Sequence, residues 1–402
     1  MTEKLTIGFL PLVDACLPIL AQEHGFAEEE GLALTFQRDV SWATVLDRLL
    51  YGHTDAAHLI APLAIAVTLG RGRSAQPLAT PFVLGLNGNA VTISTGLAAK
   101  VAEPGKLADP AVLGAALRIE AEARKAAGRK LRFGVVHRYS SHNYMLRYWL
   151  AASGIRPDED VEIATVSPPF VAEAMAAGEI DGACVGEPWN SAAVERAVGV
   201  IVLSTAQIWR RGVEKVLAFR APVLEERRPA VEALIRAMRK AGAHFVDPAN
   251  WEANAAILAR REYVDADPAL ILWAISDRLV LTPGAQPVAY PDFMFQHREA
   301  ANFPWVSQAE WLYTQLVRWD RLQYSAQDAA AAAGVFRPDV YRSALAGTGD
   351  LLPGASSKVE GSLARPTAVT TQQGAMTLAN NTFFDGRSFD PDDIEGYIAS
   401  FG

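Results

Sequence analysis

The side chains best suited to chemistry in this sequence lie in four short polar segments. Each segment is predicted to lie at a junction between a strand and a helix. The segments are Ser41-Trp42, Asn87-Gly88-Asn89, Ser140-Ser141-His142 and Glu214-Lys215. Hydroxyl, amide, indole, imidazole and ammonium groups all donate hydrogen bonds, and helix starts present free backbone N–H groups. The pattern predicts a cleft for a small anion. The structural alternative for each segment stays open, with Trp42 as a core residue and the serines as ordinary helix caps.

Motifs typical of catalysis and of metal binding are missing. The sequence has no G-x-S-x-G elbow, no G-x-x-x-x-G-K-[ST] phosphate loop and no H-E-x-x-H helix. His53 and His58 flank a predicted helix end and are not expected to share a metal. Glu187 follows a predicted strand, where a structural hydrogen-bond acceptor is favoured over a site residue. We therefore predict a binding protein, not an enzyme, without cofactor or metal.

The elements that position these segments form two α/β units. The first unit has predicted strands at Leu5–Leu10, Leu32–Phe36 and Ala56–Ile60, and the second at Arg132–Val136, Val161–Val166 and Asp181–Val185. Helical segments separate the strands, which predicts parallel sheets with right-handed crossovers. Ligands of such sheets bind at the carboxyl ends of the strands. Two lobes with a cleft between them follow from this pattern.

The lobes have predicted boundaries. Lobe I is expected to comprise residues 1–94 and 206–402, and lobe II residues 95–205. Apolar spacing becomes helical from about residue 225 to 345, which predicts a C-terminal helical extension of lobe I. Residues 353–380 have few large apolar side chains and are predicted to be rich in loops.

Composition excludes several classes of protein. The 402 residues are 50% hydrophobic and carry a net charge of −8, which argues against direct contact with nucleic acid. No apolar stretch approaches the length of a membrane span. Cys16 and Cys184 are expected to be reduced and buried. Pro11, Asp14 and Pro18 interrupt the first apolar run, so no secretory signal is predicted and a cytoplasmic location is expected.

Longer motifs carry a family resemblance across nearly the whole chain. They are Ser41-Trp42-Ala43, Asp55–Pro62, Thr80–Ala90, His142 with Leu146–Leu150, Pro168-Pro169, Gly186–Asn190, and Phe383–Gly386 with the closing Phe389–Tyr397 segment. In these segments the chain resembles the nitrate- and bicarbonate-binding proteins of the NrtA/CmpA family. The resemblance implies an α/β fold, the two-lobed type II periplasmic-binding-protein clamshell, with extra C-terminal helices.

The same resemblance implies a set of ligand-binding residues. They are Trp42 as an indole donor, Asn89 as an amide donor, Ser140, Ser141 and His142 at a helix start, Pro168, and Lys215. Nitrate binders of the family have lysine at the position of Lys215, whereas bicarbonate binders have an acid, so nitrate or nitrite is the expected ligand. Two departures, Tyr139-Ser140 in place of glycines and Asn89 in place of glutamine, leave the balance between nitrate and nitrite open.

The resemblance also implies a biological context. Without a predicted export signal, the chain is similar to soluble nitrate/nitrite sensors of the NasS type. Such sensors restrain an RNA-binding antiterminator with an ANTAR domain (NasT-like), so we expect that partner, with no direct contact to nucleic acid or membrane. The alternative is the substrate-binding subunit of a nitrate ABC transporter. Thiamine-pyrimidine synthases share this fold, but their Cys-rich motif is missing here.

Overall fold

The computed structural model describes residues 2–371 and 373–401. Within these residues the strands are β1 (Glu3–Phe9), β2 (Leu32–Arg38), β3 (Ala56–Ile60), β4 (Leu78–Asn87), β5 (Asn89–Ser94), β6 (Leu131–Val135), β7 (Val161–Thr165), β8 (Gly182–Gly186), β9 (Gly199–Ser204), β10 (Val213–Arg220), β11 (Arg278–Leu279), β12 (Val288–Ala289), β13 (Met294–Phe295), β14 (Thr367–Thr371) and β15 (Gly374–Leu378).

The α-helices are α1 (Cys16–Glu23), α2 (Phe26–Glu29), α3 (Trp42–Leu50), α4 (Ala61–Thr68), α5 (Thr95–Val101), α6 (Pro110–Ala126), α7 (Ser141–Ala152), α8 (Val171–Ala176), α9 (Trp189–Glu195), α10 (Thr205–Ile208), α11 (Ala221–Glu226), α12 (Arg228–Phe245), α13 (Trp251–Leu258), α14 (Pro268–Ile275), α15 (Val306–Asp320), α16 (Ala326–Ala333), α17 (Pro338–Leu345) and α18 (Ile394–Ala399).

Lobe I is built on a six-stranded sheet in the order β13-β4-β10-β3-β1-β2. Strand β1 pairs in parallel with both β2 and β3, as the alternation of strands and helices in the first sixty residues predicts. Strand β10 enters antiparallel between β3 and β4. This central strand, which the chain supplies only after completing lobe II, carries Lys215.

Lobe II is built on a five-stranded sheet in the order β7-β6-β8-β5-β9. Strand β6 is parallel to β7 and β8, while β5 is antiparallel to β8 and β9. Because β5 belongs to this sheet, the chain crosses between lobes at Gly88, before the predicted boundary at residue 94. The result is the α/β two-lobed clamshell predicted from the sequence.

Local sequence explains the two helices that begin beside the cleft. In α3 the buried side chains are Trp42, Val45, Leu46, Leu49 and Leu50, a spacing that places them on one face. The hydroxyl of Ser41 accepts a hydrogen bond from the backbone N–H of Thr44, which makes Ser41 the N-cap. Helix α7 has the same start, since the Ser140 hydroxyl accepts from the N–H of Asn143.

The C-terminal extension is fastened by aromatic packing. The ring of Phe383 stacks on Trp209, with centroids 4.9 Å apart, and on Trp311 of α15 at 5.5 Å. Tyr148 of α7 lies 5.5 Å from the same ring, and its hydroxyl donates to Asp385. The stretch predicted to be rich in loops contains the small hairpin β14–β15, whose side chains are mostly exposed or half-buried.

Two further predictions concern the core and the membrane. Cys16 and Cys184 are both buried and not disulfide-bonded, as expected from the sequence. In the part of the chain that the structure describes, no helix combines the length and the apolar composition needed to cross a bilayer.

Candidate functional site

A cluster of buried polar side chains lies where the two lobes meet. Its members, each at most 4% exposed, are Asp14, Trp42, His58, Asn89, Ser141, His142, Glu214 and Lys215. Burial of polar and charged groups is costly unless they are paired or hold a ligand. This concentration of polar groups in an interior is therefore the candidate functional site, which we call the interlobe cluster.

Lys215 is at the centre of the interlobe cluster. Its ammonium Nζ donates to Asp14 Oδ2 at 2.8 Å and to Glu214 Oε1 at 2.7 Å. Burial by itself would lower the pKa of Lys215, but the two carboxylates raise it above its usual value. For Asp14 burial has the opposite effect and by itself would raise the pKa. The ammonium of Lys215 and a hydrogen bond from His58 nevertheless hold the pKa of Asp14 well below its usual range. Lys215 is thus charged and already paired within the protein.

Two histidines extend this ion pair into a chain of contacts. His58 Nε2 lies 2.8 Å from Asp14 Oδ1. His142 Nδ1 lies 3.3 Å from Glu214 Oε1, within ion-pair distance but not aligned as a hydrogen bond. Burial lowers the pKa of both histidines, that of His142 to about 4, so both are neutral at pH 7. The last contact joins α7 of lobe II to β10 of lobe I.

Several polar atoms in the interlobe cluster have no hydrogen-bond partner among residues 2–371 and 373–401. Trp42 Nε1, Asn89 Nδ2 and Ser141 Oγ are donors, and His142 Nε2 is a donor whenever that nitrogen carries a proton; Asn89 Oδ1, His142 Nδ1 and His58 Nδ1 are also without a partner. An unsatisfied buried donor costs about 1–3 kcal/mol. Groups of this kind on four different side chains are suited to a ligand that offers several acceptor oxygens at once.

Further contacts place two of these donors beside the charged centre. The Trp42 ring centroid lies 5.5 Å from Lys215 Nζ and 5.2 Å from the centroid of His58. Asn89 and Asp14 both face Gly186, since a Cβ at that glycine would lie 3.1 Å from Asn89 Oδ1 and 3.6 Å from Asp14 Oδ2. Glycine therefore keeps room for both side chains at this point.

The structure brings together most of the predicted site residues but assigns different positions or partners to some. Trp42, Asn89, Ser141, His142 and Lys215 all belong to the interlobe cluster. The Ser140 hydroxyl donates to the His137 carbonyl and accepts from the Asn143 N–H, so it serves as the helix cap. Pro168 is buried at the start of the 3-10 turn after β7, and none of the contacts given above involves it.

The placement at strand–helix junctions is wrong for two of the four segments. Asn89 is the first residue of strand β5, and Lys215 lies inside strand β10. Both residues lie in strands next to a crossing between lobes, because β5 begins directly after Gly88 and β10 returns the chain to the sheet of lobe I. A pattern of apolar residues does not show where a strand begins when its first residues are polar and buried.

Sequence reasoning missed Asp14 and His58 as partners of the site, and it named Glu214 without giving it a role. Asp14 interrupts an otherwise apolar buried run, and His58 stands in the apolar strand Ala56–Ile60. A charged or polar residue inside a fully buried element must find a partner, and that signal marks both positions. The rule does not say which partner each one finds.

The remaining candidates from the sequence, His53 and Glu187, are not members of the interlobe cluster. His53 is exposed while His58 is buried, so they do not share a metal. Across the described ranges, no group of three or more His, Cys, Asp and Glu residues could hold a metal ion. Glu187 Oε2 accepts from the Ser191 N–H, the structural role favoured above, and burial raises the pKa of this carboxyl to about 7.

Two surface cavities lie outside the interlobe cluster. One of about 330 Å³ lies between α7 and α15, and another of about 650 Å³ lies beside α18. In the smaller one the charged side chains are already matched, as Arg138 with Asp320 and Arg147 with Asp158. The buried interlobe cluster is the stronger candidate because its donors are not matched.

Comparison with known proteins identifies relatives of the whole chain. Residues 1–259 match the model of the NMT1-like family. The nitrate/nitrite binding protein NrtA of Synechococcus elongatus is 30% identical over 98% of this chain and 85% of its own length. The bicarbonate transport ATP-binding protein CmpC of the same organism is 32% identical over 79% of this chain and 45% of its own length. The chain spans about half the length of the ATP-binding relatives that it matches.

The structural comparison agrees with the sequence relatives. The crystal structure of the periplasmic nitrate-binding protein NrtA from Synechocystis superposes with a TM-score of 0.85 and 25% identity. The match covers 100% of this chain and 99% of that one, so it includes both lobes and the C-terminal extension.

Proposed function

Because this chain belongs to the NMT1-like family and is homologous to the NrtA nitrate/nitrite-binding proteins, we propose that it binds nitrate or nitrite in the interlobe cluster without transforming it. The observation that carries the proposal is the set of buried donors without protein partners, on Trp42, Asn89, Ser141 and His142. A small planar oxyanion offers acceptors in several directions and satisfies such a set.

The chemistry of the interlobe cluster fits recognition better than catalysis. Its lysine is charged and doubly paired, and its thiol neighbour Cys16 has a pKa that burial raises to about 12, so no activated nucleophile is present among these groups. The donors come from both lobes, Trp42 from α3 and His142 from α7. An anion held by both would favour the closed arrangement of the lobes.

Calorimetric titration of the full chain tests the proposal. We expect one nitrate or nitrite to bind per chain, with bicarbonate and sulfate as comparison ligands. Bicarbonate is the informative competitor, because its O–H can donate to a carboxylate such as Glu214, whereas nitrate cannot. If bicarbonate is the only anion that binds, bicarbonate replaces nitrate as the ligand. If none of these anions gives a heat of binding, the proposal is contradicted.

The Trp42→Phe variant tests the indole donor. Phenylalanine keeps an aromatic ring beside Lys215 but removes Nε1–H, so one hydrogen bond to the anion is lost. We expect nitrate affinity to fall about tenfold, equivalent to about 1.4 kcal/mol, with little change in the melting temperature. Trp189→Phe is the matched control, since its Nε1 donates to the Pro11 carbonyl outside the interlobe cluster. Equal affinity of the Trp42 variant and the wild type would exclude the indole as a ligand.

Within this proposal, delivery of the anion to an ABC importer is the better supported role. The support is the similarity to binding and ATP-binding proteins of nitrate import. The sequence-based alternative, a cytoplasmic sensor that controls an ANTAR-domain antiterminator, stays a prediction. Capture of an RNA-binding protein by the chain, with release on addition of nitrate, would favour the sensor. Export of the full-length product would favour the transporter.

A further inference from the structure

The ionised side chains of the interlobe cluster carry a net negative charge, which is unusual for a site that takes an anion. Lys215 contributes one positive charge, and its partners Asp14 and Glu214 contribute two negative charges. Both histidines are neutral at pH 7 because burial lowers their pKa values. A nitrate ion would therefore add a second uncompensated negative charge in a region shielded from water, which is strongly unfavourable.

A proton taken up with the anion removes this difficulty. It keeps the total charge of the interlobe cluster constant during binding. Because nitrate is the anion of a strong acid, the proton must reside on the protein. The neutral groups of the interlobe cluster that can accept it are the imidazoles of His58 and His142.

The geometry favours His142. Its Nδ1 lies 3.3 Å from Glu214 Oε1, and its Nε2 has no partner among the residues that the structure describes. As an imidazolium it would donate from one nitrogen to Glu214 and from the other to the anion. His58 is placed differently. Its Nδ1 also has no partner among the described residues, but its Nε2 already makes a hydrogen bond with Asp14 at 2.8 Å, whereas neither ring nitrogen of His142 has a hydrogen-bond partner there, so protonation provides a new donor on each side of the ring only at His142.

We propose that nitrate binds to this protein together with one proton. The imidazole of His142 accepts the proton, and the resulting imidazolium pairs with the carboxylate of Glu214. Glu214 is then a determinant of ligand choice, since it admits a fully ionised oxyanion only when His142 is protonated. The other charged groups that face His142 are Lys215 on the same strand β10 and Asp14 after β1. The inference depends on the proposed function, nitrate or nitrite binding in the interlobe cluster.

The sign of the pH dependence follows from linkage. The pKa of His142 is about 4 before binding, and the bound anion raises it. At a pH between the pKa of His142 in the free protein and its pKa in the complex, binding of nitrate takes up one proton. In this range the affinity for nitrate falls about tenfold for each unit of rising pH. Below the lower pKa, and above the raised one, the dependence disappears.

Titration calorimetry with nitrate measures the proton directly. In Bis-Tris and in Tris, two amine buffers that do not compete as oxyanions, the difference in observed heat gives the number of protons exchanged. We expect about one proton taken up per nitrate at pH 7 in the wild type. In Glu214→Gln the site loses one negative charge, so we expect no proton uptake and an affinity independent of pH.

A matched variant and a spectroscopic readout identify the group involved. Glu187→Gln removes another buried carboxyl, whose pKa of about 7 makes it an alternative proton acceptor, and it should take up as many protons as the wild type. In ¹⁵N spectra of histidine-labelled protein, nitrate should convert His142 from the neutral ring to imidazolium. Proton uptake that persists in Glu214→Gln, disappears in Glu187→Gln, or appears on His58 would overturn the inference. Failure of the wild type to bind nitrate would instead refute the proposed function.

Discussion

The Lys215→Met variant is expected to bind nitrate at least about a hundredfold more weakly than the wild type, a loss of about 3 kcal/mol. Methionine has a similar length but no charge, so Asp14 and Glu214 face the anion without the ammonium that now lies 2.8 and 2.7 Å from them. Lys215→Glu adds a third carboxylate, and we expect it to abolish binding. Calorimetry on the folded variants measures both effects.

The same change is expected to lower stability, because it leaves two buried carboxylates without their cation. Breaking a buried ion pair costs about 3–5 kcal/mol. The second substitution in Lys215→Met/Glu214→Gln should recover part of this loss, as one of the unpaired charges is removed. Lys358→Met is the control, since Lys358 pairs with Glu360 away from the interlobe cluster and should leave nitrate affinity unchanged. A folded Lys215→Met protein with normal affinity would exclude Lys215 from the site.

Replacement of Phe383 by alanine should lower the free energy of unfolding by about 3–5 kcal/mol, as for large aromatic residues removed from a core. Phe383 is 2% exposed and fills the space between Trp209, Trp311 and Tyr148. These rings come from different parts of the chain, so the cavity opens at the contact between the C-terminal extension and lobe II. Urea denaturation followed by tryptophan fluorescence measures the change.

Phe170→Ala is the matched control for this prediction. Phe170 is 56% exposed, and its removal should change the free energy of unfolding by no more than about 0.5 kcal/mol. If Phe383→Ala costs no more than this control, the aromatic cluster does not fasten the extension.

Much of the fold could be predicted because the relevant signals are local. The alternation of apolar strands with capped helices predicted the parallel strands β1, β2 and β3 and the start of α7. These elements depend on periodicity and on caps such as Ser41, which act within a few residues of themselves. The sequence also pointed to Trp42, Asn89, His142 and Lys215, although it took the family resemblance to join them.

The electrostatics of the site could not be predicted in this way. The family resemblance associates a lysine at position 215 with nitrate in preference to bicarbonate, and the sequence alone does not show which side chains pair with it. In the structure its charge is already matched by Asp14 and Glu214, and for this reason the proposed binding of an anion includes a further positive charge, on His142.

By itself the sequence determined the two-lobed α/β architecture and named most of the hydrogen-bond donors of the interlobe cluster. Tertiary structure alone decided which buried charges meet. Asp14 and His58 are 44 positions apart, and Lys215 reaches them only because β10 returns from lobe II to pair with β3. The physical reason is that a buried charge requires a partner, while its identity depends on which strands become neighbours in the folded chain.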